Sequence, residues 1–176
     1  MLIRFAAPQD AQAVAAVRVA SWRATYRGTV PDSYLTAMDP NESHWRAVAA
    51  GETDGAELLV CEEDGRIVGF AAYGAAREPR FGHSGELYAT YYLPQAMGKG
   101  YGSAMMEAVT ANLRRLGHRD MIVWVMEANA RGRRFYETIL RARMVEGSRQ
   151  SFVLEGETIW EVAYSLRPLP AMAQAR

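Results

Sequence analysis

The stretch YYLPQAMGKGYGSAMMEAV (residues 91–109) decides the fold of this sequence. An apolar run typical of a strand ends at Pro94, and glycines then alternate at Gly98, Gly100 and Gly102, before apolar residues recur at helical spacing. A glycine-rich turn between a strand and a helix exposes main-chain N–H groups beside the positive end of the helix dipole. Such a turn is typical of an anion site, and phosphate suits it well.

Two common phosphate-binding motifs do not fit this spacing. A Walker A loop needs a glycine five residues before Gly98, where the sequence has Leu93. The dinucleotide fingerprint needs a third glycine where Ser103 stands, and an acidic residue at the end of the next strand, where none comes before Glu127. The loop therefore calls for a different phosphate-bearing ligand.

Outward from this loop, the patterns predict a mixed α/β domain. Asp64-Gly65 between two apolar runs predicts a hairpin, and the strand–helix–strand segment from Glu86 to Met126 predicts a right-handed parallel crossover. The full predicted order is a strand, helices, three strands, a helix, a strand, a helix and two strands. We expect a single domain over residues 1–167 and a frayed C-terminal tail over residues 168–176.

Composition and charge exclude several classes of function. The 176 residues are 49% hydrophobic and 23% charged, as in an ordinary globular domain, and their formal net charge is zero. Neutral charge argues against nucleic acid as a partner, and no apolar run is long enough to span a membrane. The single cysteine, Cys61, excludes an internal disulfide and a multi-cysteine metal site, and we expect no metal. A cytoplasmic protein is the expectation.

Three segments together carry a family resemblance. Residues 95–100, QAMGKG, fit the pattern [Q/R]-x-x-G-x-[G/A], residues 129–145 read NARGRRFYETILRARMV, and residues 21–35 read SWRATYRGTVPDSYL. With the predicted order of elements, they make the sequence resemble the GCN5-related N-acetyltransferase (GNAT) family over nearly the whole chain. The resemblance implies an α/β (α+β) fold with a mixed, mostly antiparallel central sheet of about seven strands, a central parallel crossover and helices on both faces. It also implies an N-acetyltransferase that uses acetyl-CoA.

The resemblance places coenzyme A on the glycine-rich loop. It implies that main-chain amides hold the pyrophosphate and that the pantetheine arm pairs with the preceding strand like an added strand. Asn129 stands where the family's asparagine contacts this arm, and Lys99, Arg131 and Arg134 are candidate partners for the adenosine-side phosphates. The expected cofactor-binding residues are Tyr92, Leu93, Met97, Gly98, Lys99, Gly100, Tyr101, Gly102, Ser103, Asn129, Arg131 and Arg134.

Two positions depart from the pattern of the family. Met97 stands where Arg or Gln is common, which removes a polar side chain from the loop but keeps its amides. Leu140-Arg141-Ala142 replaces the usual Leu-Gly-Phe, and a left-handed conformation at Arg141 would cost about 1 kcal/mol. Neither departure affects the chemistry that the resemblance implies.

Two side chains are candidates for the chemistry of acetyl transfer, which needs a base for the ammonium and an acid for the leaving thiolate. Glu86 has the place of the family's catalytic glutamate and is the expected base, with a solvated glutamate as the alternative. Tyr136 has the place of the tyrosine that points at the sulfur and is the expected acid, with a core tyrosine as the alternative. A main-chain N–H of a bulged strand near Leu93 would polarise the carbonyl in a direct transfer. Cys61 is not expected to be a nucleophile, because two glutamates follow it.

The acceptor site is expected near the first helices and the fourth strand. Trp22, Tyr26, Arg27 and Tyr88 are the candidate substrate-binding residues, with core aromatics and solvated arginines as the alternative. Arginines on both sides of Tyr26 favour a small substrate that carries a carboxylate. The leading function is acetyl transfer to a primary amine of a small molecule. The alternatives are a non-catalytic module that senses acyl-CoA and an acetyltransferase of proteins or peptides, and homodimers are common in the family.

Overall fold

The computed structural model describes residues 1–170, which form one central sheet with helices on both sides. The strands are β1 (Leu2–Phe5), β2 (Glu57–Glu63), β3 (Arg66–Ala75), β4 (Gly85–Tyr92), β5 (Met121–Met126), β6 (Arg143–Met144), β7 (Gln150–Leu154) and β8 (Glu157–Leu166). The helices are α1 (Ala11–Thr25), α2 (Asp32–Ala37), α3 (Glu42–Ala49), α4 (Tyr101–Arg115) and α5 (Ala130–Arg134). A π-helical turn, Phe135–Ile139, continues α5.

The sheet has the strand order β1-β2-β3-β4-β5-β8-β6, and β7 also pairs with β8. Every pair is antiparallel except β4 and β5, which α4 connects as a parallel crossover. The predicted mixed, mostly antiparallel sheet is therefore confirmed. The described residues contain eight strands where about seven were expected, because β6 is only two residues long and too short to show alternation in the sequence.

Helices cover both faces of the sheet, because alternate residues of its inner strands point to opposite sides. Leu58 and Val60 of β2 belong to a core cluster with α1 and α3, whereas Leu59 and Cys61 belong to a cluster with α4. Full burial of one large apolar side chain contributes about 1.5–3 kcal/mol. Such burial fixes α4 on the sheet through the stripe Met105, Val109 and Leu113.

A gap opens in the middle of the sheet between β4 and β5. The parallel ladder joins only residues 85–87 to residues 121–123, although both strands continue beyond it. Tyr88 of β4 lies opposite no residue of β3, and this β-bulge increases the local twist. Past the bulge, the side of β4 that faces β5 has no ladder partner on that strand.

The C-terminal segment is packed further than the sequence predicted. The side chain of Leu169 is buried, its N–H donates to the Arg119 carbonyl oxygen at 3.0 Å, and its own carbonyl accepts a hydrogen bond from Arg114. The prediction of a frayed tail over residues 168–176 is therefore wrong at Leu169, and residues 171–176 lie outside the described part. Among the helices of residues 1–170, none has the length and apolar character needed to cross a membrane.

Candidate active site

A cavity of about 880 Å³ occupies the gap between β4 and β5. Its walls are the end of α1, the two diverging strands, the glycine-rich loop, α5 with its π-helical turn, and the β7–β8 hairpin. Because β4 runs the length of the cavity, the loop after Tyr92 and the side chain of Glu86 lie at opposite ends. The volume is in the range of sites for small ligands and cofactors.

The glycine-rich loop presents free main-chain donors at the start of α4. Gly98 and Gly100 have φ angles of 84° and 83°, a left-handed conformation that favours glycine. Gly100 is the N-cap of α4 and has no side chain to cap the first turn, whose first internal bond runs from the Ser103 N–H to the Gly100 carbonyl oxygen at 3.1 Å. The N–H groups of Tyr101 and Gly102 have no acceptor among residues 1–170, so they remain for an anion.

Gly102 has a different role from the other two glycines of the loop. It lies inside α4, and a Cβ atom at this position would come within 3.2 Å of the Phe135 ring. The lack of a side chain therefore serves helix–ring packing rather than the approach of a ligand that the sequence suggested. This contact holds the start of α4 against the π-helical turn that carries Tyr136.

The side chains of Lys99 and Tyr101 point away from the cavity. The Lys99 ammonium lies 2.9 Å from a carboxylate oxygen of Glu63, and the Tyr101 hydroxyl donates to the same carboxylate. Neither residue lines the cavity. The structure thus gives the predicted contact of the Lys99 side chain with phosphate no support, because the end of β2 brings Glu63 within its reach. Only the main-chain amides of these two residues stay available to a ligand.

Arg131 and Arg134, both predicted to contact phosphate, lie in different surroundings. Arg131 lines the cavity, and its guanidinium is 3.9 Å from the position of a Cβ built on Gly98. Arg134 is exposed and does not line the cavity, so its predicted role has no support from the cavity. A single turn of helix separates the two arginines, and only the first faces the loop.

Asn129 caps α5 and connects it to the end of α1. Its carboxamide oxygen accepts a hydrogen bond from the Gly132 N–H at 2.8 Å, the contact typical of a helix N-cap. Its amide donates to the Tyr26 hydroxyl at 3.2 Å. Because a Cβ at Gly132 would come within 2.8 Å of the Asn129 amide, a larger residue there would displace this side chain from its capping position. The cap fixes Asn129 on the cavity wall.

The main-chain N–H of Leu93, near which the donor to the thioester carbonyl was predicted, is already bonded within the sheet. The Leu93 N–H donates to the Val68 carbonyl oxygen at 2.8 Å, and Leu93 does not line the cavity. The bulge lies at Tyr88 instead of near Leu93. Since the N–H groups of a strand alternate in direction, those of Thr90 and Tyr92 point away from β3 and into the gap.

Tyr136 reaches the cavity from the π-helical turn. It is 6% exposed, and its ring stacks on Tyr164 with centroids 5.9 Å apart. Its hydroxyl lacks a hydrogen-bond partner in the described part of the chain, which argues against a core tyrosine with a satisfied hydroxyl. Burial, followed by the nearby tyrosines, raises the pKa of this phenol. The phenol is therefore protonated at neutral pH and able to donate.

Glu86 lies at the other end of the cavity and is already paired. Its side chain is 2% exposed, and one carboxylate oxygen accepts hydrogen bonds from the Arg77 guanidinium at 2.5 and 3.1 Å. The second oxygen accepts from the Arg77 main-chain N–H at 2.8 Å. The hydrogen bond to Glu86 raises the pKa of Arg77. The second oxygen accepts this one main-chain hydrogen bond and keeps a lone pair, so Glu86 stays the predicted base.

Three of the four predicted substrate-binding residues line the cavity, namely Trp22, Tyr26 and Tyr88. Arg27 does not line it, so its predicted role has no support from the cavity. Arg23, the other arginine near Tyr26, donates to two main-chain carbonyl groups at the end of α2. The prediction of a substrate carboxylate was based on these two arginines and is therefore without support.

Besides Glu78, sequence reasoning missed two further charged residues of the cavity, Arg77 and Glu161. Arg77 lies in the connection between β3 and β4, and Glu161 lies on β8, where one of its oxygens accepts from the Gln150 side chain at 2.8 Å. Neither residue belongs to a local motif. Arg77 contacts Glu86 across the connection between β3 and β4, and Glu161 comes from β8, which pairs with β5.

Comparisons with known proteins agree with this architecture. The family model described as "Acetyltransferase (GNAT) family" matches residues 16–140. The chain is 31% identical to the uncharacterised N-acetyltransferase YuaI of Bacillus subtilis (strain 168) over 172 residues. The aligned residues cover 97% of this chain and 95% of that protein. It is 35% identical over 123 residues to an aminoglycoside N(6')-acetyltransferase type 1 of Stenotrophomonas maltophilia, which covers 68% of this chain and 71% of that protein.

A solved structure shares the fold. The yncA protein of Salmonella typhimurium, solved with its cofactor acetyl-CoA, superposes with a TM-score of 0.69 at 21% identity and covers 99% of this chain and 96% of that one. Fold and relatives together define an N-acetyltransferase. The chain belongs to the GNAT family of acetyltransferases. Family, fold class, enzyme class and acetyl-CoA as cofactor are thereby confirmed, while the single domain over residues 1–167, the site residues and the homodimer stay predictions.

Proposed function

We propose that this acetyltransferase moves the acetyl group of acetyl-CoA directly to a primary amine of a small molecule. One observation carries the proposal: a single cavity joins the start of α4, where the Gly102 N–H is free, to the unbonded hydroxyl of Tyr136. An anion site and a proton donor in one cavity are what a phosphate-bearing thioester requires. The cavity volume of about 880 Å³ favours a small acceptor over a protein surface.

The cofactor is assigned to the loop and to the gap in the sheet. The pyrophosphate is assigned to the free N–H groups at the start of α4, and Arg131 to a phosphate on the adenosine side. The pantetheine arm is assigned to the gap, where the N–H groups of Thr90 and Tyr92 have no partner on β5. Asn129 keeps a second amide hydrogen for this arm, since only one of the two donates to Tyr26.

The chemical step is a direct transfer. The free amine nitrogen attacks the thioester carbon, the C–N bond forms as the C–S bond breaks, and the proton of the Tyr136 hydroxyl passes to the leaving thiolate. The proton that the nitrogen loses passes to water, from which the Tyr136 phenolate takes a proton back. N–H groups of β4 at the gap polarise the carbonyl oxygen. An acyl-enzyme on Cys61 is not part of the proposal, because this thiol is fully buried in β2 and burial raises its pKa.

Release of free thiol from acetyl-CoA tests the proposed function. The purified protein is assayed with amino acids, polyamines, aminoglycosides and peptides. We expect amine-dependent release with at least one small molecule and background release with the peptides. Tight binding of coenzyme A without release across the panel would instead identify a sensing module, and release with peptides alone would identify a protein acetyltransferase.

We expect substitutions of Arg131 and Lys99, both predicted to contact phosphate, to affect coenzyme A binding differently. We expect Arg131→Ala to weaken coenzyme A binding about 5- to 10-fold, since a partly exposed ionic contact contributes about 1 kcal/mol. Lys99→Ala should change the affinity less than about twofold, because Lys99 is paired with Glu63. Titration calorimetry with coenzyme A measures both, and equal losses in the two variants would contradict the assignment of Arg131.

A further inference from the structure

The Arg77 guanidinium lies on a site built for a cation. The buried carboxylate of Glu86 accepts two of its hydrogen bonds, and its central carbon is 4.4 Å from the centroid of the Tyr88 ring. A carboxylate beside an aromatic face is a general recognition site for ammonium and guanidinium groups. Glu86 and Tyr88 also line the cavity, at the end assigned to the acceptor.

We propose that Glu86 and Tyr88 form a cation subsite for the acceptor, and that Arg77 occupies this subsite until a cationic group of the acceptor displaces it. The inference rests on the proposed function, since it concerns the acceptor end of the same cavity. It names a class of acceptor, an amine that carries two or more positive charges and no carboxylate.

The unequal burial of Arg77 and Glu86 supports the exchange of Arg77 for a cationic group of the acceptor. The Arg77 side chain is 65% exposed, whereas that of Glu86 is 2% exposed. In the seven other ion pairs within residues 1–170, the exposure of the carboxylate side chain ranges from 11% to 42%. The guanidinium thus covers a buried anion from the solvent side, and it has open solvent into which it can withdraw.

Exchange of one cation for another avoids the main cost of breaking the pair. A buried carboxylate left without a partner is strongly unfavourable, but an incoming ammonium restores the charge-assisted hydrogen bonds. The Arg77 main-chain N–H, 2.8 Å from the second oxygen, holds the carboxylate in place while the guanidinium leaves. The site therefore persists when its internal occupant is gone.

The other charges at this end select a polycation. Glu78 and Glu161 line the cavity with Glu86, and Arg77 is the cation among them. Arg131, which the structure places near Gly98, is the other cationic side chain on the cavity wall within residues 1–170. Once Arg77 withdraws, the cavity wall carries three glutamates, and this excess of negative charge disfavours a substrate carboxylate and attracts additional ammonium groups.

The test uses binding of spermidine to the complex of the protein with coenzyme A, which cannot turn over. We expect Arg77→Gln and Arg77→Met to bind spermidine at least 5-fold more tightly than the wild type, because the internal competitor is removed. Glu86→Gln should bind it at least 10-fold more weakly. Arg80→Gln, a change of an exposed charge in the same connection, should stay within twofold. Thermal denaturation and coenzyme A affinity verify that each variant is folded.

A second probe is methylguanidine, a small molecule that carries the guanidinium group which the Arg77→Gln variant lacks. We expect it to bind the Arg77→Gln complex in competition with spermidine and to leave the wild-type complex unchanged. Weaker spermidine binding in both the Arg77 and Glu86 variants, or no effect in either, would identify a structural ion pair and overturn the inference. If binding follows the expectation but acetyl-CoA releases no thiol with any amine, the subsite stands and the proposed function fails.

Discussion

Replacement of Tyr136 by phenylalanine is expected to lower kcat about 100-fold and to change the affinity for coenzyme A less than twofold. General acid catalysis contributes roughly 10²- to 10⁴-fold, and no other phenol is assigned to the thiolate. The hydroxyl makes no hydrogen bond within residues 1–170, so its removal costs the folded state little. Steady-state thiol release and calorimetry with coenzyme A measure the two quantities separately.

Tyr73 provides the matched control for this experiment. Its hydroxyl is also removed from solvent, but it donates to Glu57 at 2.8 Å, and the residue does not line the cavity. Tyr73→Phe should lower the free energy of unfolding by about 1 kcal/mol and leave kcat unchanged. A Tyr136→Phe enzyme with wild-type kcat would show that the thiolate takes its proton from elsewhere, and the proposed mechanism would be wrong.

The features of the site that depend on neighbouring residues in sequence were predictable. The Asn129 cap and the start of α4 after the glycine-rich loop follow from local backbone preferences, and the structure shows both. Arg141 takes a φ of 54°, the left-handed conformation considered for the position where the family has glycine. The parallel crossover follows from the order of a strand, a helix and a buried strand.

The partners of long cationic side chains were not predictable in the same way. Lys99 pairs with Glu63 because the end of β2 lies beside the loop, and Arg77 pairs with Glu86 across the connection between β3 and β4. Such side chains reach several acceptors, and the register of the sheet decides which is near. The bulge at Tyr88 likewise depends on pairing with β3, so the sequence placed it five residues away, near Leu93.

Gly100 offers the most direct test of the anion site. We expect Gly100→Asp to weaken coenzyme A binding about 100-fold or more. The new carboxylate would lie beside the N–H groups of Tyr101 and Gly102, where two unit charges about 5 Å apart at an effective dielectric constant near 20 repel by roughly 3 kcal/mol. Titration calorimetry at low and high salt measures the loss, which should shrink as salt screens the charges.

Two controls separate charge from backbone strain in this experiment. Gly100→Asn adds the same bulk at the same φ of 83° without the charge, so it should lose only about 10-fold in affinity. Gly51→Asp has the charge and a similar φ of 73°, far from the cavity, and should bind coenzyme A like the wild type. If the Asp and Asn variants of Gly100 bind equally well, the negative charge meets no phosphate there. The diphosphate then lies elsewhere, and the free N–H groups of α4 are not its site.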